Sequence, residues 1–333
     1  MATINANALS LVDHAKRMDP DGKIAAVAEL LAEQNAVLDD IPWIEGNLPT
    51  GHRITQRTAL PSATWRKLNE GVSPTKSRTS QITEACGMLE TYSEVDKDVA
   101  ELNGNTSQFR LSEAMAHIEA MNQEFTSTLF YGDSSLAPEE FTGFAPRYNS
   151  LSGNIGQNVI TGSGSQSDSS SVWLVVWGAD KVCGIYPKGS MAGLSHKDLG
   201  LQVVQSSTGV GGGKLQAYLD HWQWKCGIAV KDWRYVVRIP NIDISNLIAK
   251  SSAADLIELM IKATHRVPSI TAGKPVFYMN RTVFQMLDIQ RRDDAISGGG
   301  LMYDVVDGKR MPMFRGIPIK IVDQLTEAES AVS

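Results

Sequence analysis

The chain has 333 residues, 42% of them apolar and 20% charged, with a formal net charge of −6. That is enough apolar material for roughly two domain-sized units. The acidic balance argues against a protein that coats nucleic acid with a basic surface. Three cysteines, Cys86, Cys183 and Cys226, lie far apart without a CxxC pair, which suits a reduced compartment better than a disulfide framework. No basic region followed by an apolar run opens the sequence, and no apolar stretch approaches the ~20 residues of a membrane span.

In chain order, Asp19-Pro20-Asp21-Gly22 reads as a turn, and Ile24, Val27, Leu30, Leu31 and Leu38 then recur near helical spacing. Ile41-Pro42 ends that helix, because a residue before proline is pushed out of the α region. His52–Leu60, Ala63–Leu68 and Gln81–Val95 read as strands around the turn cluster Gly71–Ser77, giving a long β-hairpin or three-stranded flap. Its apolar content is too thin for a core of its own.

Residues 107–131 give the strongest helix. Leu111, Met115, Ile118, Met121, Phe125 and Leu129 form one stripe without an intervening Gly or Pro, ending at Gly132-Asp133. A polar loop over 149–171 precedes Val172–Trp177, a continuous apolar run that predicts a strand covered on both faces. Trp222, Trp224, Cys226, Ile228 and Val230 alternate with period two, and Trp233–Ile239 extends or pairs with that strand. Ser252–His265 reads as a helix with Ser252 and Asp255 as a capping box. Lys274–Met279 is a short strand, Asn280 caps a helix through Ile289, and Ile317–Val322 is the last strand.

The chemical motifs fail in detail. Gly209-Val210-Gly211-Gly212-Gly213-Lys214 has Thr208 where a phosphate loop needs its first Gly, and Leu215 replaces the hydroxyl that would hold magnesium. As a dinucleotide fingerprint it has Lys214 in the third Gly position. His14, His52, His117, His196, His221 and His265 show no zinc spacing, and His117 reads as a surface pair with Glu113. Ser190 is off-centre for a nucleophile elbow, and Ser73 with Lys76 sits in a polar turn. No catalytic residue, cofactor or metal ligand is expected.

Charge layout is more informative. Residues 52–78 carry Arg53, Arg57, Arg66, Lys67, Lys76 and Arg78 against Glu70 alone, and follow an arm rich in acids that includes Asp39, Asp40 and Glu45. A charge run is usually a solvated face. Here both elements also lack cores, and protruding elements of opposite charge are what a subunit uses to grip its neighbours. The expected contacts join Arg53, Arg57, Arg66 and Lys67 to Asp39, Asp40 and Glu45, or to the second acidic run Glu94, Asp96, Asp98 and Glu101.

The order of parts carries a resemblance: acidic arm, basic flap, long helix, Leu129-Phe130-Tyr131-Gly132-Asp133, then Phe141-Thr142-Gly143-Phe144. Later come Ala254–His265, Pro275–Asn280, Phe284–Ile289 and Phe314-Arg315-Gly316-Ile317-Pro318-Ile319. Together they resemble the tailed-bacteriophage major capsid protein, with the Hong Kong-phage-type shell fold. One departure is that Val172–Ile239 precedes the helix near 254–265, which looks like the rearranged strand order of short-tailed phages.

The resemblance implies an α+β fold in five parts: an N-terminal arm (1–50), an extended β-flap (51–95), a peripheral domain with the spine helix (96–150), a β-rich segment shared between peripheral and axial domains (151–250), and axial helices with the closing strand (251–333). It implies self-assembly through pentamers and hexamers into an icosahedral shell. Such a shell holds double-stranded DNA without sequence-specific binding, and the subunit is assembled in the host cytoplasm and located in the virion. The short arm implies that any scaffold is a separate protein; a portal and a decoration protein are the other expected partners, and no membrane. The alternatives are an encapsulin-like nanocompartment shell and, from another class, an α/β enzyme.

Overall fold

A computed structural model describes residues 35–102, 106–162, 164, 167–205, 213–251, 253–293, 301–306 and 309–333, with the backbone alone for 291–293, 301–306 and 309–311. The helix expected over 24–38 lies almost wholly outside the described residues, as do Ser252 and the Gly-rich loop 206–212. The chain divides into two compact units, one holding Met88–Thr126 and Gly193–Lys225, the other Gln34–Gly87, Ser127–Ala192 and Cys226–Ser333.

In the larger unit β5 (Ser169–Trp177) is the central strand and is buried at every position; the unbroken apolar run predicts this for Val172–Trp177, whereas Ser169–Ser171, expected in the polar loop, belong to the strand as well. It pairs antiparallel with β9 (Val236–Asp243) and with β10 (Lys274–Met279), and its end meets β6 (Val182–Tyr186). β10 pairs in parallel with β13 (Ile317–Ile321), which continues into β12 (Lys309–Phe314) and β11 (Leu301–Val306). On β6 lie β1 (Trp43–Glu45), in parallel, and residues 227–230 of β8 (Lys214–Val230). The aromatic core gathers Phe130, Phe144, Trp173, Trp177 and Tyr278, all buried.

Three helices of this unit follow β9 in the chain. α2 (Ile244–Ala249) is capped by Asp243, which accepts from Asn246 N at 2.8 Å. α3 (Leu256–Arg266) is capped by Asp255, accepting from Glu258 N at 2.9 Å. The cap therefore starts three residues later than the Ser252 reading. Asn280 caps α4 (Arg281–Asp293) as expected, accepting from Thr282 N at 2.7 Å. Trp233–Tyr235 is a 3-10 turn, and the strand after it pairs with β5 instead of extending β8.

The flap is a separate two-stranded sheet, β2 (Gly51–Ala59) and β3 (Arg78–Ala85). The strand expected over 63–68 does not form, and β4 (Gly87–Asp96) leaves the flap after Cys86. β4 belongs to the smaller unit, beside β8, whose other edge carries β7 (Leu194–Gln205).

The helix α1 (Thr106–Tyr131) runs 26 residues. Its stripe does not act as one surface. Met121, Phe125 and Leu129 are buried, whereas Leu111, Met115 and Ile118 are exposed. Phe109, off the stripe, is buried instead against Val95 and Ala100. Phe125 stacks on Trp224 with ring centroids 4.5 Å apart. His117 is half-buried: its Nδ1 lies 2.8 Å from Thr91 Oγ1 and its ring stacks on Trp222.

Candidate assembly elements

The end of α1 explains the Gly-Asp and Phe-Thr-Gly-Phe segments. The last carbonyls of a helix need donors, and the returning chain supplies them. Gly132 N donates to Thr128 O at 2.9 Å, Phe144 N to Leu129 O at 3.0 Å and Ala145 N to Phe130 O at 2.7 Å. A Cβ at Gly143 would stand 2.7 Å from Leu129 O, closer than side chains come. Gly143→Ala is therefore expected to cost about 1–3 kcal/mol, read as a lower thermal midpoint; an unchanged melt would remove the role of this close approach.

The same returning segment holds the flap base. Arg147 reaches Glu84 on β3 in a bidentate pair, both bonds 2.6 Å, and also donates to Gly143 O and Thr142 O. Gln56 on β2 donates to Lys231 O at 2.8 Å. His52 lies opposite Glu84 in the hairpin, and burial, with Lys231 nearby, holds its imidazole below the usual range. The flap thus leaves the body from a fixed base. Beyond it, residues 57–83 are all exposed, including Arg57, Arg66 and Lys67, and Arg53 is exposed nearer the base. Leu60, Trp65 and Leu68 are exposed as well, with Trp65 at 100%, so the flap connection is more apolar in what it presents than a purely basic element.

The acids separate into two groups. Asp39 is exposed, and so is Glu45, which accepts from Gly189 N at 2.8 Å. Asp40 is buried within its own subunit. Lys274 and Lys320 reach its Oδ1 at 2.6 and 2.8 Å, and Tyr278 OH donates to Oδ2 at 2.7 Å. Burial and the neighbouring Asp40 charge push the Tyr278 phenol well above its usual range. With the Asn35–Val322 bridge, this anchors the segment before β1. Asp98 and Glu101 are exposed and Glu94 and Asp96 half-buried; Asp96 accepts from Asp98 N, and Glu101 accepts from Tyr218 OH.

Within the smaller unit a denser charge cluster escaped the sequence. Arg110 on α1 contacts Asp220 on β8 and Asp198 on β7, at 2.9 and 2.8 Å, and His196 Nε2 lies 3.1 Å from Asp220 Oδ1. These residues are far apart in the chain, and no local spacing signals them. Among the described residues no group of His, Cys, Asp and Glu could hold a metal, and no helix is long and apolar enough to cross a membrane. Burial pushes the Cys86 and Cys183 thiols up to about 11.

A flap on a rigid base, a long helix locked to its return loop, and a sheet-rich α+β core in this order define a shell subunit of tailed phages. The chain belongs to the family described as Major capsid protein GP7, whose model matches residues 19–333. A solved chain of bacteriophage Epsilon15 is 34% identical, with 100% of this chain and 99% of that one covered and a TM-score of 0.75. The capsid of bacteriophage JBD30 shares the fold at 10% identity, covering 93% and 99%, with a TM-score of 0.50. A more distant likeness is the SrpI encapsulin of Synechococcus elongatus PCC 7942, at 12% identity over 71% and 96% of the chains and a TM-score of 0.46. No curated protein matches the sequence. The protein is a tailed-phage capsid protein, a structural component of the virion shell that assembles from many copies of itself.

Proposed function

We propose that the subunit builds an icosahedral shell of pentamers and hexamers around double-stranded DNA, with the exposed flap as its grip on neighbours. The observation that supports this most is the flap itself, an element with a rigid base and exposed Arg53, Arg57, Arg66 and Lys67 but no core of its own. Its acidic partners are Asp39 and Glu45, or Glu94, Asp96, Asp98 and Glu101, on an adjacent copy; Asp40 is already satisfied inside its subunit. The five parts are the arm, flap, peripheral domain, shared β-rich segment and axial domain with the boundaries given above. Assembly takes place in the host cytoplasm with a separate scaffold protein, a portal and a decoration protein, and the DNA is held without base contacts. The subunit performs no catalysis. Co-expression with its neighbouring genes should give megadalton particles by sizing and negative-stain microscopy; a compact monomer or dimer under those conditions would refute the shell.

The subunits are joined without covalent bonds. A Lys–Asn link from Lys67 or Lys76 of the flap would need the Asn280 amide, yet that group caps α4 and donates to Leu325 O at 2.6 Å in a buried position. Denaturing gels of mature particles should show one band near 36.2 kDa, whereas a ladder of multimers would contradict it.

A further inference from the structure

The connection between the two flap strands is basic and irregular, with an aromatic side chain standing free in it. Between residues 60 and 77 no helix or strand forms. The loop is nevertheless shaped. Thr75 Oγ1 donates to Ser62 O at 2.9 Å and ties its two arms together, and Glu70 N donates to Lys67 O at 3.3 Å in a turn at its far end. At the near end the ladder of β2 and β3 shifts register between Arg57 and Ala59, which sets Arg57 and Arg78 together. Arg57, Arg66, Lys67, Lys76 and Arg78 are all exposed, against the single acid Glu70. Among the described residues no carboxylate pairs with any of the five.

Trp65 is 100% exposed and stands immediately before Arg66 and Lys67, so its indole is open to a ligand on both faces. Every base of an unpaired strand has a π face that such a ring can take, while cations beside it take the phosphates. A membrane surface would need apolar side chains gathered on one face of an amphipathic element. Leu60, Trp65 and Leu68 are instead separated by Ser62, Thr64, Arg66 and Lys67, in a segment with no helical or strand period. The net charge of −6 excludes a chain that wraps nucleic acid over its whole surface, but not a short site of clustered cations.

We propose that the flap connection of the free subunit binds single-stranded nucleic acid, with one base stacked on Trp65 and phosphates taken by Arg66 and Lys67 at the tip and by Arg57, Lys76 and Arg78 nearer the body. The site reads phosphate and base face, which RNA and DNA share, and nothing in it selects a sequence. This goes beyond the shell reading and does not rest on it. It gives the same cations two ligands that exclude each other: a strand bound at Arg57 and Arg66 must leave before an adjacent copy can meet them.

Anisotropy of labelled oligonucleotides tests it. Full-length chain, freed of particles by sizing, is titrated into oligo-dT and oligo-U of about 15 nucleotides, the footprint of one small single-strand site, at several salt concentrations. Both should bind with similar affinity, and the logarithm of that affinity should fall against the logarithm of salt with a slope of about 0.7 per phosphate engaged. Trp65→Ala should weaken binding about 5- to 150-fold, the loss of one stacked base, and Trp65→Phe should keep most of the affinity. Arg66→Gln with Lys67→Gln should flatten the salt slope by about 1.4. These side chains are exposed, so the thermal melts of all variants should match the wild type. Absence of binding at low salt overturns the proposal. So does a Trp65→Ala chain that binds as the wild type does, which would leave charge without stacking, and so does a preference for duplex of the same length or for only one of the two sugars. Retention on phosphatidylserine vesicles without oligonucleotide binding overturns it in favour of a lipid surface.

Discussion

Glu329→Ala is expected to destabilise the subunit by about 3–5 kcal/mol, the cost of leaving a buried charge without its partner. Glu329 and Arg238 each have side chains only 5% exposed and meet at 2.8 Å. Arg238 also donates to Ser171 Oγ at 3.0 Å and Tyr148 O at 3.0 Å, and its guanidinium lies over the Trp173 ring. Glu329 accepts from Ser171 and, at 2.6 Å, from Tyr131 OH at the end of α1. The pair therefore joins the tail after β13, the central strand β5, β9 and the helix. Removing the carboxylate leaves a buried cation without its counter-charge; it also releases Tyr131, whose phenol burial and Glu329 push far above its usual range. Denaturant unfolding of the monomer reads the loss. The double change Arg238→Met with Glu329→Leu should recover most of it, since replacing both members of a buried pair is often neutral. If Glu329→Ala melts as the wild type does, water reaches this site and the network is not a core element.

Local pattern made the long elements legible. α1 shows in the sequence because 26 residues keep helical spacing without Gly or Pro, and β5 shows because an unbroken apolar run has few alternatives. What the stripe on α1 could not reveal is which half meets the subunit's own core. An exposed apolar residue and a buried one are the same residue type in the sequence, so Leu111 and Leu129 look alike there and differ in place. β11 and β12 pair antiparallel, and the sequence between them, Asp307-Gly308, is a dipeptide that favours a hairpin.

The charged residues were legible in sign but not in depth. Asp40 reads as one acid in a solvated arm, and becomes a buried anchor only because Lys274 and Lys320, more than two hundred residues away, converge on it. Arg238 sits in an apolar strand as if misplaced until the tail brings Glu329 to it. Glu84 reads as a strand acid in the flap, and its pairing with Arg147 is what gives the flap a base. Each of these depends on long-range topology, which no spacing rule encodes. The flap cations were different. A basic run on an element without a core carries its own argument for a partner, because nothing inside the element can hold it.

Reversing Arg57 and Arg66 to Glu should block shell formation while the monomer's circular dichroism and thermal melt stay close to wild type. Both side chains are exposed, so the fold loses little by the change. Each exposed ion pair is worth at most about 1 kcal/mol, too little to hold two subunits alone. A closed shell repeats the contact in every subunit, however, and small terms accumulate through multivalency. Reversal also places like charges together, which costs more than deletion, so Arg57→Gln with Arg66→Gln should only slow assembly. Raising salt should act as the neutral variant does, since screening at 1 M shortens the range to about 3 Å, but it leaves apolar burial in place. Assembly that is merely slowed in high salt and abolished by charge reversal is the signature of a contact oriented by charge and held by apolar burial. Normal particles from the reversed chain would show that the flap's cations face solvent. A reversed chain that does not fold would mean that the flap belongs to its own subunit's core, and that its exposure in the monomer has another origin.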